Sequence, residues 1–332
     1  MSENKRPETT RPIVVAAEEV ADTAVEWLRA EIDADIRRVK GADIPAVKEA
    51  IADADALIVR SVTPVDEELL SAAPRLKVAG RAGVGVDNID IAAATRHGVA
   101  VVNTPFANSH SAAEHTLGLI LAVARNLTVA DRSLKNGEWR RTELTGVELW
   151  KKTAGIIGFG TIGRLVAERL QAFGVRVIAN DPYIDPRDAA AAGVDLMSKE
   201  KLIRTADIVT LHVPRTEETV GMVDAGLVRI AKPGQIFINA ARGGLINDAA
   251  LAESIRAGRH RGAGIDVWAN EPDVDSPLVE LPQVVAVPHL GAATAEAQHR
   301  VGTEVADYVA QVLRGEEVPT ALNAESLYGT RG

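Results

Sequence analysis

The strongest constraint on the fold is an alternation that runs along nearly the whole chain. Short apolar, often β-branched runs fall at 13–16, 56–59, 77–79 and 99–102, then at 153–157, 176–179, 208–211, 235–239, 262–265 and 284–287. Longer amphipathic stretches lie between them, among them 90–97, 162–173, 248–257 and 295–314. Runs of the first kind are strand-sized; stretches of the second kind read as helices. The strand runs are apolar throughout, which predicts parallel sheets covered on both faces. The expected fold class is α/β, doubly wound. With 332 residues and about 100–200 residues per domain, the chain has room for two such domains.

Residues 109–136 break the rhythm. They read as one long helix ending at the Gly137 turn, followed by an irregular arm over 138–150. Trp139, Leu144, Val147 and Trp150 in that arm point to a subunit contact in a homo-oligomer.

Composition removes several function classes. Lys and Arg number 37 against 46 Asp and Glu, a net charge of −9, which argues against a general binder of nucleic acid or acidic membrane. The absence of cysteine excludes disulfide scaffolds, thiolate zinc sites, iron–sulfur clusters and thiol catalysis. Residues 1–11 are polar and of mixed charge, a short floppy tail without the apolar core of a signal peptide. The longest apolar stretch, 117–124, is far short of the roughly 20 residues that span a bilayer. A cytoplasmic protein is expected. The histidines at 97, 110, 115, 212, 260 and 299 lack ligand spacing, and no metal site is expected.

The run at 153–157 leads into Gly158-Phe159-Gly160-Thr161-Ile162-Gly163 and then a helix. In this strand–G-x-G-x-x-G–helix arrangement the first Gly makes the tight turn and the second lets backbone approach a pyrophosphate. The third lets helix pack on strand. The helix N-terminus then faces the phosphates. Asp181 ends the next strand, 18 positions beyond Gly163, close to the spacing of about 20 expected for a ribose-binding acid. An Asp there repels a 2′-phosphate, so the motif reads as NAD rather than NADP.

Ligands in open α/β sheets sit beyond the carboxyl ends of the strands. Three later strands end in Ala240-Ala241-Arg242, in Asp266 with Asn270-Glu271-Pro272, and in Pro288-His289-Leu290-Gly291-Ala292. His289 is the candidate general acid/base for hydride chemistry on a 2-oxo or 2-hydroxy acid. Glu271 is expected to hydrogen-bond the other ring nitrogen, fix the tautomer and raise the imidazole pKa. Arg242 suits a carboxylate in a planar fork. In the first domain Arg60 and Arg81 stand at strand ends, and Arg suits phosphate. The Gly-flanked N–H groups of Arg81-Ala82-Gly83-Val84-Gly85-Val86-Asp87-Asn88 suit an anion.

These motifs together are similar to the D-isomer-specific 2-hydroxyacid dehydrogenase family over residues 12–323. The resemblance implies a Rossmann cofactor domain, 104–292, inserted in a flavodoxin-like substrate domain made of 1–103 and 293–332. Residues 109–150 would serve oligomerisation as a homodimer or homotetramer. It implies Arg242, Glu271 and His289 as the catalytic set. For NAD it implies Gly158, Gly160, Thr161, Ile162, Gly163, Asp181, His212, Val213, Pro214, Ala240, Ala241, Asp266, Gly291 and Ala292. Within the family, Arg60-Ser61, residues 81–88, residues 108–115 and Arg141 are most similar to members that oxidise 3-phosphoglycerate to 3-phosphohydroxypyruvate, the first step of serine synthesis. By that resemblance Arg60, Ser61, Arg81, Val84, Gly85 and Asn108 contact substrate, and Arg141 reaches in from a neighbouring subunit. Many such members continue into serine-binding regulatory domains; serine feedback through one is not expected of a chain ending at Gly332. Other readings are a hydroxypyruvate or glyoxylate reductase, and a non-catalytic NADH-sensing binding protein like the C-terminal-binding-protein corepressors. Trp268 and Asn270 stand where many relatives carry other residues.

Overall fold

The computed structural model describes residues 11–329, so the tail expected over 1–11 lies, Arg11 apart, outside the described residues. They form two compact units, one of residues up to Asn108 together with those from Thr294, the other Ser109–Ala293.

The first unit begins with β1 (Ile13–Ala16), α1 (Asp22–Ile32), β2 (Asp35–Arg38), α2 (Ile44–Ile51), β3 (Ala56–Val59), α3 (Glu67–Ser71), β4 (Val78–Arg81), α4 (Ile91–Arg96) and β5 (Ala100–Asn103). Among the described residues its strands form a five-stranded parallel sheet in the order β2-β1-β3-β4-β5, the flavodoxin-like order. Alternate strand residues feed two cores. Val14 and Ala16 join the cluster on one face, Ile13 and Val15 the cluster on the other. Both faces being covered explains the unbroken apolar runs. Each fully buried Ile or Val contributes about 1.5–3 kcal/mol relative to exposure.

The second unit opens with α5 (Ser109–Ala124) and α6 (Leu127–Lys135). The single helix expected over 109–136 is interrupted, because Asn126 turns left-handed at φ 56° and ψ 33°. Its Nδ2 donates to the Leu144 carbonyl at 3.1 Å, and Asn tolerates this conformation better than most residues. Residues 138–150 contain turns but no helix or strand. There follow β6 (Thr153–Ile157), α7 (Thr161–Ala172), β7 (Arg176–Asn180), α8 (Pro186–Ala191), β8 (Asp195–Leu196), α9 (Lys199–Thr205), β9 (Ile208–Leu211), α10 (Ala225–Ile230), β10 (Ile236–Asn239), α11 (Asp248–Arg256), β11 (Gly262–Ile265) and β12 (Val284–Ala286). Among the described residues these strands form a seven-stranded sheet, β12-β11-β10-β9-β6-β7-β8. The strand order reverses between β6 and β9, so the Gly-rich loop after β6 lies at the switch point where such sheets take ligands.

The chain then returns to the first unit as α12 (Ala295–Leu313) and α13 (Ala324–Tyr328). Thr294 caps α12 by accepting from Ala297 N at 3.2 Å, as helix N-caps of this type do. α12 sits so close on β4 that a Cβ at Gly80 would lie 2.8 Å from Val305 and 3.0 Å from Val309. Residues beyond β5 also stay with this unit: Thr104 N donates to Gly83 O at 3.0 Å, and Arg300 Nε to Ala107 O at 2.8 Å. Two strands, β2 and β8, are not anticipated by the apolar pattern. Both are short edge strands with exposed positions, where no continuous apolar run is required. Among the described residues no helix is long and apolar enough to cross a membrane.

Candidate active site

The Gly-rich loop is built by contact. Gly158 has φ +91°, and a Cβ there would lie 2.5 Å from His212 O; one at Gly163 would lie 2.2 Å from Gly158 O. Gly160 is the N-cap of α7 and makes no side-chain cap bond, and a Cβ there would meet nothing within 4 Å. The loop is therefore tight where strand meets helix and open above the helix N-terminus, a cradle that fits a pyrophosphate. Asp181, beyond β7, ties itself to this cradle: Oδ2 accepts from Phe159 N at 2.8 Å and Oδ1 from Tyr183 N at 2.9 Å. His212 follows β9, its backbone N bonding Ile157 O at 2.7 Å with Nε2 3.0 Å from Thr210 Oγ1. Burial lowers its imidazole pKa to about 4, so it is neutral at physiological pH.

β10, β11 and β12 are neighbours in parallel register, Asn239 beside Ile265 and Ile265 beside Ala286, so their carboxyl ends are aligned. Buried Asn239 shapes the first loop by accepting from Ala241 N at 3.1 Å and donating to Arg242 O at 2.8 Å. The Arg242 guanidinium donates to Ala241 O at 2.7 Å. A Cβ at Gly243 would lie 1.9 Å from Trp268 O, so this loop packs backbone to backbone against the loop after β11. There Glu271 Oε1 accepts from Trp268 N at 2.8 Å, and its Oε2 lies 2.7 Å from His289 Nδ1. Trp268, 7% exposed, donates its indole N–H to Val287 O at 3.0 Å, which joins the β11 and β12 loops. Burial pushes the Glu271 carboxyl up, but the hydrogen bonds from His289 and Trp268 outweigh it and hold the pKa below its ordinary value. Glu271 is thus a carboxylate, and the proton of the shared bond sits on His289 Nδ1.

His289 is held in the left-handed region, φ 55°, a conformation that persists in a non-glycine residue only where its surroundings over-determine it. Asp266 supplies the restraint. Its carbonyl accepts from His289 N at 2.8 Å, Oδ1 accepts from Leu290 N at 2.6 Å and Oδ2 from Gly291 N at 2.9 Å. Its side chain is 0% exposed, and His115 Nε2 lies 3.2 Å from Oδ1. Burial pushes this carboxyl up; His115 and the two backbone N–H groups outweigh it and lower the pKa. Ser111 Oγ donates to Gly291 O at 2.8 Å from α5. Asn239, Ser111 and His115 carry these supports without any sequence signal assigning them the task. Asn239 ends a strand in the expected way, but α5 shows its approach to the 289–291 turn only once folded.

In the first unit, Arg81 is the last residue of β4 and registers beside Val59, the residue before Arg60. The two arginines therefore leave adjacent strand ends. Arg81 Nη1 donates to Ala82 O at 2.9 Å, and a Cβ at Gly83 (φ +147°) would fall on its guanidinium. The Val84 carbonyl accepts from buried Asn103 at 2.6 Å, Gly85 follows in the same loop, and Asn108 Oδ1 is buried without a hydrogen-bond partner among the described residues. Arg141 lies in a turn of 138–150, in the second unit.

Residues 117–291 match the model of the D-isomer specific 2-hydroxyacid dehydrogenase, NAD binding domain. The chain is 50% identical over 314 residues to a D-3-phosphoglycerate dehydrogenase of Mycobacterium leprae, covering 95% of this chain and 59% of that protein. It spans between 52% and 60% of the length of the curated relatives it matches. The crystal structure of TT0316 protein from Thermus thermophilus superposes with TM-score 0.87 at 32% identity, covering 93% of this chain and 99% of that one. A D-lactate dehydrogenase of Aquifex aeolicus, solved with NAD and lactic acid, gives TM-score 0.81 at 26% identity over 92% and 96% of the two chains. The tight and open glycines, the Glu271–His289 pair and these matches agree: the chain belongs to the D-isomer specific 2-hydroxyacid dehydrogenases, and its second unit carries their NAD binding domain.

Proposed function

We propose that the chain oxidises D-3-phosphoglycerate to 3-phosphohydroxypyruvate with NAD, the first step of serine synthesis. The observation that carries the substrate is the 50% identity to a relative named D-3-phosphoglycerate dehydrogenase; Arg60 and Arg81 leaving adjacent strand ends support a phosphorylated substrate.

NAD, when bound, supplies the hydride acceptor; Gly158, Gly160, Thr161, Ile162 and Gly163 would hold its pyrophosphate and Asp181 its ribose. His212, Val213, Pro214, Ala240, Ala241, Gly291 and Ala292 would line the rest. Asp266 supports this lining by fixing the 289–291 turn. As the C2–H bond electrons leave as hydride, His289 Nε2 takes the hydroxyl proton and the C2 carbonyl forms. Glu271 keeps the proton of His289 on Nδ1 and balances the imidazolium charge that develops. Arg242 forks the substrate carboxylate. Arg60 and Arg81 receive the phosphate, with Ser61, Val84, Gly85, Asn108 and a neighbouring subunit's Arg141 as further contacts. The exposed Trp139 and Trp150 serve as contacts in a homodimer or homotetramer.

Arg60→Ala and Arg81→Ala test the substrate. Each should raise the KM for 3-phosphoglycerate by about tenfold or more, as loss of a charged hydrogen-bonding partner does. Unchanged turnover of 3-phosphoglycerate in both would show that the assignment of the phosphate to Arg60 and Arg81 is wrong.

A further inference from the structure

The segment that follows β3 carries a second device. Glu18 lies two residues beyond β1, the sheet neighbour of β3, and four consecutive backbone N–H groups converge on its carboxylate. Oε1 accepts from Arg60 N at 2.9 Å, Val62 N at 3.1 Å and Thr63 N at 3.1 Å, and Oε2 from Ser61 N at 3.1 Å. Successive N–H groups arranged this way form a concave anion site, and here the protein's own carboxylate fills it. The far end of the segment is tied down as well. Thr63 is fully buried, and its carbonyl accepts from Asn88 Nδ2 at 2.6 Å. Val65 N donates to Asn88 O at 2.8 Å, which connects the segment to the 81–88 loop. Gly41 leaves room for the arrangement: a Cβ there would lie 2.6 Å from Glu18 Cγ and 2.3 Å from Thr63 Oγ1.

We infer that Glu18 is a positioning residue for the phosphorylated end of the substrate, acting through Arg60 and Ser61. The inference rests on the substrate reading above. With the amides of 60–63 committed to Glu18, a phosphate at this strand end is left to the side chains of Arg60 and Ser61, whose backbone Glu18 sets. Charge-assisted bonds from an ionised acceptor are about twice as strong as neutral ones, so four of them make a stiff mount. The four N–H dipoles also offset a negative charge that would otherwise oppose a dianionic ligand.

Glu18→Gln and Glu18→Ala separate this role from a merely structural one. Gln keeps an oxygen for three of the N–H groups but sets an NH2 against the fourth; Ala removes all four acceptor contacts. The measurements are KM and kcat for 3-phosphoglycerate, NAD affinity by fluorescence titration and thermal unfolding, all on the full chain. A positioning role gives a graded rise in KM, about threefold for Gln and about tenfold or more for Ala, with kcat within about twofold and NAD affinity unchanged. Unchanged KM in both variants overturns it, as does a lower KM, which would make Glu18 a repulsive charge. A parallel fall in kcat, NAD affinity and unfolding temperature also overturns it, since that is loss of fold. If the unsubstituted chain does not turn over 3-phosphoglycerate, the substrate reading fails and takes this inference with it; if it does and the variants keep its KM, the inference about Glu18 fails alone.

Discussion

Glu271 and His289 share a hydrogen bond of 2.7 Å between Oε2 and Nδ1, although 18 positions separate them in the chain. The bond orients the imidazole and, in the mechanism proposed above, leaves Nε2 for the substrate hydroxyl. His289→Ala should lower kcat by about 10²–10⁴-fold, the usual worth of a positioned general base, while NAD affinity survives. Equal loss of both would assign His289 a structural task. Glu271→Gln removes the balancing charge but keeps a hydrogen-bonding shape, so its cost in kcat should be smaller, about 10–100-fold.

Asp266 is the restraint on the His289 turn. Asp266→Asn keeps one acceptor oxygen but sets an NH2 against either Leu290 N or Gly291 N, leaving a buried donor opposed. Its kcat should fall by about tenfold or more, with about 1–3 kcal/mol lost from unfolding stability. Kinetics and urea unfolding on the same preparation check this, and an unaltered kcat would show that the turn holds without the carboxylate.

Asp181, which holds Phe159 N, is the residue proposed to set cofactor choice. Asp181→Asn removes the charge that repels a 2′-phosphate but retains an acceptor for the loop. The preference for NAD over NADP, measured as the ratio of kcat/KM, should drop by about tenfold. An unchanged ratio would place the discrimination elsewhere.

The fold carries its own pH dependence. His260 is 3% exposed, its Nδ1 lies 2.7 Å from Ser254 Oγ, and its ring meets Phe237 edge-on. Burial, helped by the charge of Arg259, lowers its pKa to about 4 from 6.5. Between those values the unfolded chain binds a proton that the folded chain refuses, so stability present above 6.5 is lost as the pH falls towards 4. His260→Phe should reduce the stability lost over that window by about 1–3 kcal/mol, even if the unpaired Ser254 weakens the variant at neutral pH. Denaturant titrations at either end of the window give the difference; equal losses in both proteins would refute the assignment.

Fold and site are legible in the sequence where one local signal carries the information. The strand run before Gly158 is apolar because both faces of β6 are covered, and Gly158 and Gly163 leave the room that lets α7 meet β6 so closely. The strand-end positions of Arg242, Glu271 and His289 are legible because each follows a strand, and parallel strands present their carboxyl ends together. Other features have no local signature. Asn126 breaks the expected helix, and the bond that stabilises the break is donated by its side chain to the carbonyl of Leu144, 18 residues on. β2 and β8 lie at sheet edges and need no apolar run. His115 reads as an ordinary helical histidine until α5 brings it to Asp266, and the role of Glu18 arises only when β1 and β3 pair.

Oxidation of a phosphorylated D-2-hydroxy acid is decided by steady-state NADH formation from 3-phosphoglycerate against unphosphorylated D-glycerate. kcat/KM should favour 3-phosphoglycerate by about 10³-fold or more, the discrimination available when charged partners would otherwise be left unpaired. Equal rates, a preference for D-glycerate, or no NADH from either acid would contradict it.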